Sequence, residues 1–207
     1  NLAAPEAIPP KAVVAENKPA PKISKAEPKQ NPKISHSSAK NLHWTQMSDE
    51  QMREIYGNYS RDITKPYSGS AEDLNKYLKG KGVLSEQGQA FIDAQNKYGI
   101  SAAVLAGIAI SESGGTSSLA RKRFNVTSIS SSRGWRRFNN VSECIDYTAS
   151  MLANRYVKNS GLSGVSLKTL YQINAKYCPV SDTRNNSSNN RFWAQNVENK
   201  VREIEKA

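Results

Sequence analysis

Ser101-Ala102-Ala103-Val104-Leu105-Ala106-Gly107-Ile108-Ala109-Ile110-Ser111-Glu112-Ser113-Gly114-Gly115 is the stretch around which the chain is organised. Ser101 is a good N-cap, and Ala102 to Ile110 is apolar on every side except at Gly107. Gly114 and Gly115 supply the stop, because glycine enters a left-handed conformation at little steric cost. A helix that is apolar all round is a buried helix. This one carries a single acid, Glu112, at its C-terminal end. There the negative end of the helix dipole and apolar neighbours both disfavour ionisation. A carboxyl group so raised suits a general acid working near neutral pH. A solvated Glu112 on an exposed last turn fits the same pattern, and the helix alone does not decide between them.

The surroundings read as helices joined by short turns. Ser48-Asp49-Glu50-Gln51 has the spacing of a capping box ahead of Met52, Ile55 and Tyr56. Ser70 is expected to cap a helix through Leu74, Tyr77 and Leu78. Ser85 is expected to begin one with Phe91, Ile92 and Tyr98, ended by Gly99. After Gly115, Thr116–Ala120 reads as a short helical turn. Phe124–Ser130 and Trp135–Phe138 read as two strands of a small hairpin around Ser131–Gly134. Ser142 and Ser166 are expected to cap two further helices, and Trp193, Val197, Val201 and Ile204 form the apolar stripe of a last one. The expected fold class is α+β, dominated by helix.

The net charge is +11, about +4 of it in residues 1–40 and about +7 in the rest. A basic surface suits nucleic acid, anionic lipid or the anionic polymers of a bacterial wall. Residues 1–40 hold seven of the nine prolines and no aromatic residue, so they read as a flexible Pro/Lys-rich linker, either a plain spacer or a basic tether to wall polyanions. No apolar run approaches the ~20 residues of a membrane span. A chain opening at Asn1 reads as a processed or excised fragment. Cys144 and Cys178 are the only cysteines, and His36 and His43 lie far from them in sequence, so no metal site and no cofactor is expected. Charge alone prompts a nucleic-acid binder, but no recognition motif accompanies it and nucleic acid is not an expected partner.

Glu112-Ser113-Gly114-Gly115-Thr116-Ser117-Ser118-Leu119-Ala120, followed by Asn125-Val126 and Ile129, resembles the signature of bacterial glucosaminidase domains. These are the peptidoglycan-cutting endo-β-N-acetylglucosaminidases grouped as glycoside hydrolase family 73. Gln89–Ile92 and Ser101–Leu105 fit its lead-in helices; Arg137-Phe138 and Glu143–Tyr147 fit its post-hairpin helix; Ala175–Pro179, followed by Asp182, fits its tyrosine-bearing loop. The Glu-Ser-Gly element also occurs in lytic transglycosylases and goose-type lysozymes, and the order of the blocks is what makes the resemblance specific.

The resemblance implies a lysozyme-like domain over 83–207, with a helical lobe and a hairpin lobe flanking a groove, preceded by a helical extension over 41–82. It implies Glu112 as the acid and Tyr177 as the group supporting the reacting sugar, with Asn125 among the substrate-binding residues. The hairpin's Arg133, Trp135, Arg136 and Arg137 make a basic, aromatic cluster at the expected groove edge, with Trp135 and Arg137 the candidate substrate contacts. Residues 113–142 contain no Asp or Glu, although a glycosidase of the usual kind pairs two carboxylates. Glu143 is the nearest candidate second acid. Without one, the substrate's acetamido group acts as nucleophile, or a muramic acid 6-hydroxyl attacks as in a lytic transglycosylase. The family fold would also bring Cys144 and Cys178 together, and a bridge closing 33 intervening residues would contribute about 3–4 kcal/mol.

The function expected is therefore peptidoglycan hydrolysis by an endo-β-N-acetylglucosaminidase, extracellular at the cell wall or carried on a phage virion tail. A muramidase or lytic transglycosylase on the same substrate, or a non-catalytic wall-binding or virion module, is the alternative. The partners expected are peptidoglycan glycan strands, with an upstream domain or phage tail proteins as further candidates.

Overall fold

The computed structural model describes residues 43–158, 166–180 and 189–207. The linker expected over 1–40, and Asp182, lie outside the described residues. Two short N-terminal helices, α1 (Asp49–Tyr56) and α2 (Ala71–Leu78), begin at Ser48 and Ser70. At each, the serine hydroxyl accepts the third residue's N–H and that residue's side chain accepts the serine N–H, so the capping box expected at Ser48 closes and the cap expected at Ser70 is also a box.

The long central pair is α3 (Gly88–Tyr98) and α4 (Ala102–Ser113), joined through Gly99 in the left-handed conformation. Every residue from Ala102 to Ala109 is buried, which is what an all-round apolar helix requires. The last helix, α8 (Trp193–Ile204), is the main neighbour of α4, with Trp193, Val197, Val201 and Ile204 all buried. Gly107 makes this approach close: a Cβ there would stand 3.0 Å from Val201 Cγ2 and 3.3 Å from the Val197 carbonyl. The main core joins Ile63, Leu74 and Leu78 of the N-terminal segment to Phe91, Leu105 and Ile108. Met52 and Tyr56 pack with Tyr171 in a smaller cluster.

Between these helices run α5 (Ser118–Arg123), the strands β1 (Ser130–Ser131) and β2 (Gly134–Trp135), and α6 (Val141–Met151), which loosens into a π-helical segment over Leu152–Lys158. α7 (Leu170–Tyr177) follows. The strands pair antiparallel, Ser130 opposite Trp135 and Ser131 opposite Gly134. The hairpin is shorter than its β-branched sequence predicts, because Phe124 (φ 50°) and Ser128 (φ 55°) take left-handed conformations that no strand accommodates.

Three helix starts differ from the expected serines. Ser85 donates to the Leu78 carbonyl, and α3 begins after Gln87. Ser166 donates to the Val157 carbonyl, while α7 begins after Thr169. Asn140, not Ser142, accepts the Glu143 N–H at 2.8 Å and caps α6. The serines were short polar residues near the right places, but each hydroxyl is used to bind a neighbouring segment.

Candidate active site

Glu112 stands on the last turn of α4, two residues before Gly114 ends the helix at φ 58°. Gly115 follows at φ 72°, its backbone against the Lys81 carbonyl, where a Cβ would fall within 2.0 Å. Only glycine fits both the conformation and the approach. This turn lifts Glu112 out of the buried helix to a half-buried position. Its Oε1 accepts the indole N–H of Trp193 at 2.7 Å. Burial pushes its pKa above the usual carboxylate range, and Trp193 and the nearby Ser128 hydroxyl offset only part of that rise. The position at the negative end of α4 works in the same direction. A carboxyl group so raised keeps its proton to higher pH than an ordinary glutamate, the property that a general acid needs.

Ser128 reaches Glu112 from a backbone held at φ 55°. A non-glycine residue there is strained, and the strain persists because the flanking residues fix the loop. Asn125 is fully buried: its Nδ2 donates to the Ile129 and Arg136 carbonyls at 2.8 and 2.9 Å, and its Oδ1 accepts the Ile129 N–H at 2.9 Å. Asn125 is thus corrected from substrate-binding residue to the post that ties the loop to the hairpin, since no polar atom of it faces outward.

Tyr177, on the last turn of α7, donates its hydroxyl to the Thr127 carbonyl at 2.6 Å. Its ring stacks on Trp193, with centroids 5.0 Å apart and planes at 29°. Burial first, and then the nearby Glu112 charge, push the phenol well above its ordinary pKa, so it stays neutral. Trp193 therefore joins the two residues that the sequence set apart, touching Glu112 with its N–H and Tyr177 with its face. Its part as a donor was missed, although a buried indole N–H needs a partner and the stripe position announced the burial. Ser128 was missed altogether, having been read as one residue of a strand.

Two other sequence expectations are corrected. Glu143 is exposed, and its carboxylate accepts the Asn139 N–H at 2.7 Å at the start of α6. It serves the helix start rather than a second catalytic carboxylate. No disulfide joins Cys144 to Cys178. The Cys144 sulfur is buried on α6, 3.3 Å from the Thr127 hydroxyl, which also bonds Thr148 at 2.7 Å. Both cysteines do lie near Tyr177, whose phenol feels each of them. Trp135, 45% exposed, and Arg137, also exposed, stand on and just after β2. No group of three or more His, Cys, Asp or Glu fit for a metal occurs among the described residues, and no described helix is long and apolar enough to cross a membrane.

A glucosaminidase family model, described as mannosyl-glycoprotein endo-β-N-acetylglucosaminidase, matches residues 88–206. The bifunctional autolysins of Staphylococcus epidermidis and Staphylococcus aureus are 37% and 35% identical over 107 residues, half of this chain. That is 8% and 9% of their own lengths, so the chain spans less than a tenth of these relatives. A catalytic mutant of S. aureus autolysin E in complex with the disaccharide NAG-NAM superposes with a TM-score of 0.58 over 77% of this chain and 79% of that one, at 21% identity. Autolysin E in complex with the muropeptide NAM-L-Ala-D-iGlu gives 0.56 over 79% and 75%, at 24% identity. At such identities the likeness is one of fold, and that fold is lysozyme-like, mainly helical with a small two-stranded sheet.

Proposed function

The chain belongs to the glucosaminidase family, and from that premise we propose that it hydrolyses the β-1,4 bonds of peptidoglycan glycan strands at the bacterial cell wall, as an endo-β-N-acetylglucosaminidase with Glu112 as the general acid and base. The observation that carries this reading is the half-buried Glu112 carboxyl, raised in pKa by burial yet oriented by the Trp193 indole N–H. Residues 83–207 form the catalytic domain in this reading, and 41–82 the extension whose Ile63, Leu74 and Leu78 share its core.

Among the described residues no carboxylate shifts Glu112, and the reaction we infer draws its nucleophile from the substrate. The acetamido oxygen of the N-acetylglucosamine attacks C1 as the Glu112 proton passes to the leaving oxygen, giving an oxazolinium ion. Water then adds to C1, returns its proton to Glu112 and reopens the ring. Tyr177, neutral and beside Glu112, supports the positive charge that develops at the reacting sugar. Trp135 offers a stacking face for a neighbouring sugar, and Arg137 a cation for the carboxylates of lactyl or peptide groups.

Mass spectrometry of the products from purified wall tests the bond class. N-acetylglucosamine at the new reducing ends is expected. Reducing N-acetylmuramic acid, or 1,6-anhydro ends, would replace this reading by a muramidase or a lytic transglycosylase.

A further inference from the structure

From Ser113 to Ser142 the chain carries six basic residues, Arg121, Lys122, Arg123, Arg133, Arg136 and Arg137, and no Asp or Glu. The fold gathers them on two adjoining elements. Arg123 Nη1 donates to the Trp135 carbonyl at 3.0 Å, and the Arg123 carbonyl accepts the Phe138 N–H at 2.9 Å, so the end of α5 is fastened to the hairpin. Arg136 lies over the Tyr147 ring at 4.3 Å, which fixes its guanidinium against α6. Arg121, Lys122, Arg133 and Arg137 are exposed around these two anchors.

None of the six takes part in an ion pair among the described residues. Elsewhere Arg53, Arg61, Lys76, Lys97, Lys200 and Arg202 are each held to a carboxylate at 2.6–2.9 Å. Six cations gathered on two adjoining elements of a stretch that holds no acid make a concentrated positive potential. The cost is mutual repulsion, which an anionic partner removes. The side chains are spread across a helix end and a hairpin rather than turned into a cavity, so a small anion would meet only one or two of them. A long, flexible polyanion meets them all.

We propose that this face, formed by α5 and the hairpin, binds a linear polyanion of the bacterial wall whose charges are phosphodiesters. Five of the six cations are arginines, whose planar forks match phosphate oxygens in pairs. That the polymer belongs to the wall rests on the function proposed above. The face shares Arg137 with the substrate contacts proposed above and adjoins the site, since Ser130 of β1 lies two residues beyond Ser128, which acts on Glu112. Binding there would hold the hairpin lobe on wall that carries such polymers.

The test uses the full chain bearing Glu112→Gln, with affinity for poly(glycerol phosphate) measured over a range of salt. Arg121→Gln, Lys122→Gln and Arg133→Gln are combined in one variant. A charge-matched control combines Lys65→Gln, Lys79→Gln and Lys206→Gln, all at exposed positions outside the patch. Thermal unfolding establishes that both variants fold. The patch variant should lose affinity at least about tenfold and show a salt slope shallower by about two, as expected for three lost phosphate contacts. The control should keep most of its affinity. Equal loss in both variants, or loss in neither, would overturn the proposal. So would tighter binding of single-stranded DNA or polyglutamate than of the glycerol phosphate polymer. Failure of the hydrolase reading would appear in the products from wall and leave these affinities untouched.

Discussion

Trp193 donates its indole N–H to Glu112 Oε1 at 2.7 Å across 81 positions of sequence, and the same ring stacks on Tyr177 at 5.0 Å. One side chain from the last helix thus sets the orientation of the acid and the tilt of the phenol. The N–H favours the ionised carboxylate and so restrains the rise that burial imposes.

Trp193→Phe keeps an aromatic face for Tyr177 and removes the donor. Glu112 should then titrate at a higher pH, and the alkaline limb of the kcat/KM profile should move upward with it. The rate at the optimum should fall about tenfold, in line with the loss of one hydrogen bond to a charged group. A profile of unchanged position with a lower plateau would mean that Trp193 only supports the fold.

The raised pKa of Glu112 has a consequence for stability. Its folded value lies above its unfolded value, so over that interval the folded state binds more protons and wild-type stability falls as pH rises. Glu112→Gln has no such dependence. Urea unfolding should therefore show the variant gaining on wild type from about pH 4, near the ordinary glutamate value, up through the folded pKa, and holding level above it. A difference that stays constant with pH would show that Glu112 titrates normally.

Asn125→Ala separates a structural post from a substrate contact. Three hydrogen bonds made by a fully buried amide would be lost, and with them the side-chain partners of the Ile129 N–H and the Arg136 carbonyl, while the Ile129 carbonyl keeps the Arg136 N–H. A loss of about 3 kcal/mol in unfolding free energy is expected. Unchanged stability with a raised KM would instead restore Asn125 to the substrate.

The helical frame was legible because its signals are local. The all-apolar run of α4, the capping boxes at Ser48 and Ser70, and the stripe of α8 each determine their own element. The hairpin lobe was less so. Its β-branched residues suggested longer strands, whereas Phe124 and Ser128 are left-handed in a loop whose Asn125 and Thr127 are bonded to Arg136 and Tyr177. Glu112 was visible as a lone acid on a buried helix. Its partners were not, because a hydrogen bond between residues 112 and 193 depends on how α4 packs on α8, and no sequence period encodes it. Cys144 and Cys178 show the reverse error. Their elements do converge near Tyr177, but nearness in a fold does not make a bond.

The most direct measurement is the initial rate of glycan-strand cleavage in purified wall by Glu112→Gln against wild type, with wall binding and unfolding followed in parallel. Loss of general acid catalysis should lower the rate by at least about a hundredfold, with binding and fold retained. A variant that still releases new reducing ends within a few-fold of the wild-type rate would contradict the account, and the acid would have to be sought elsewhere.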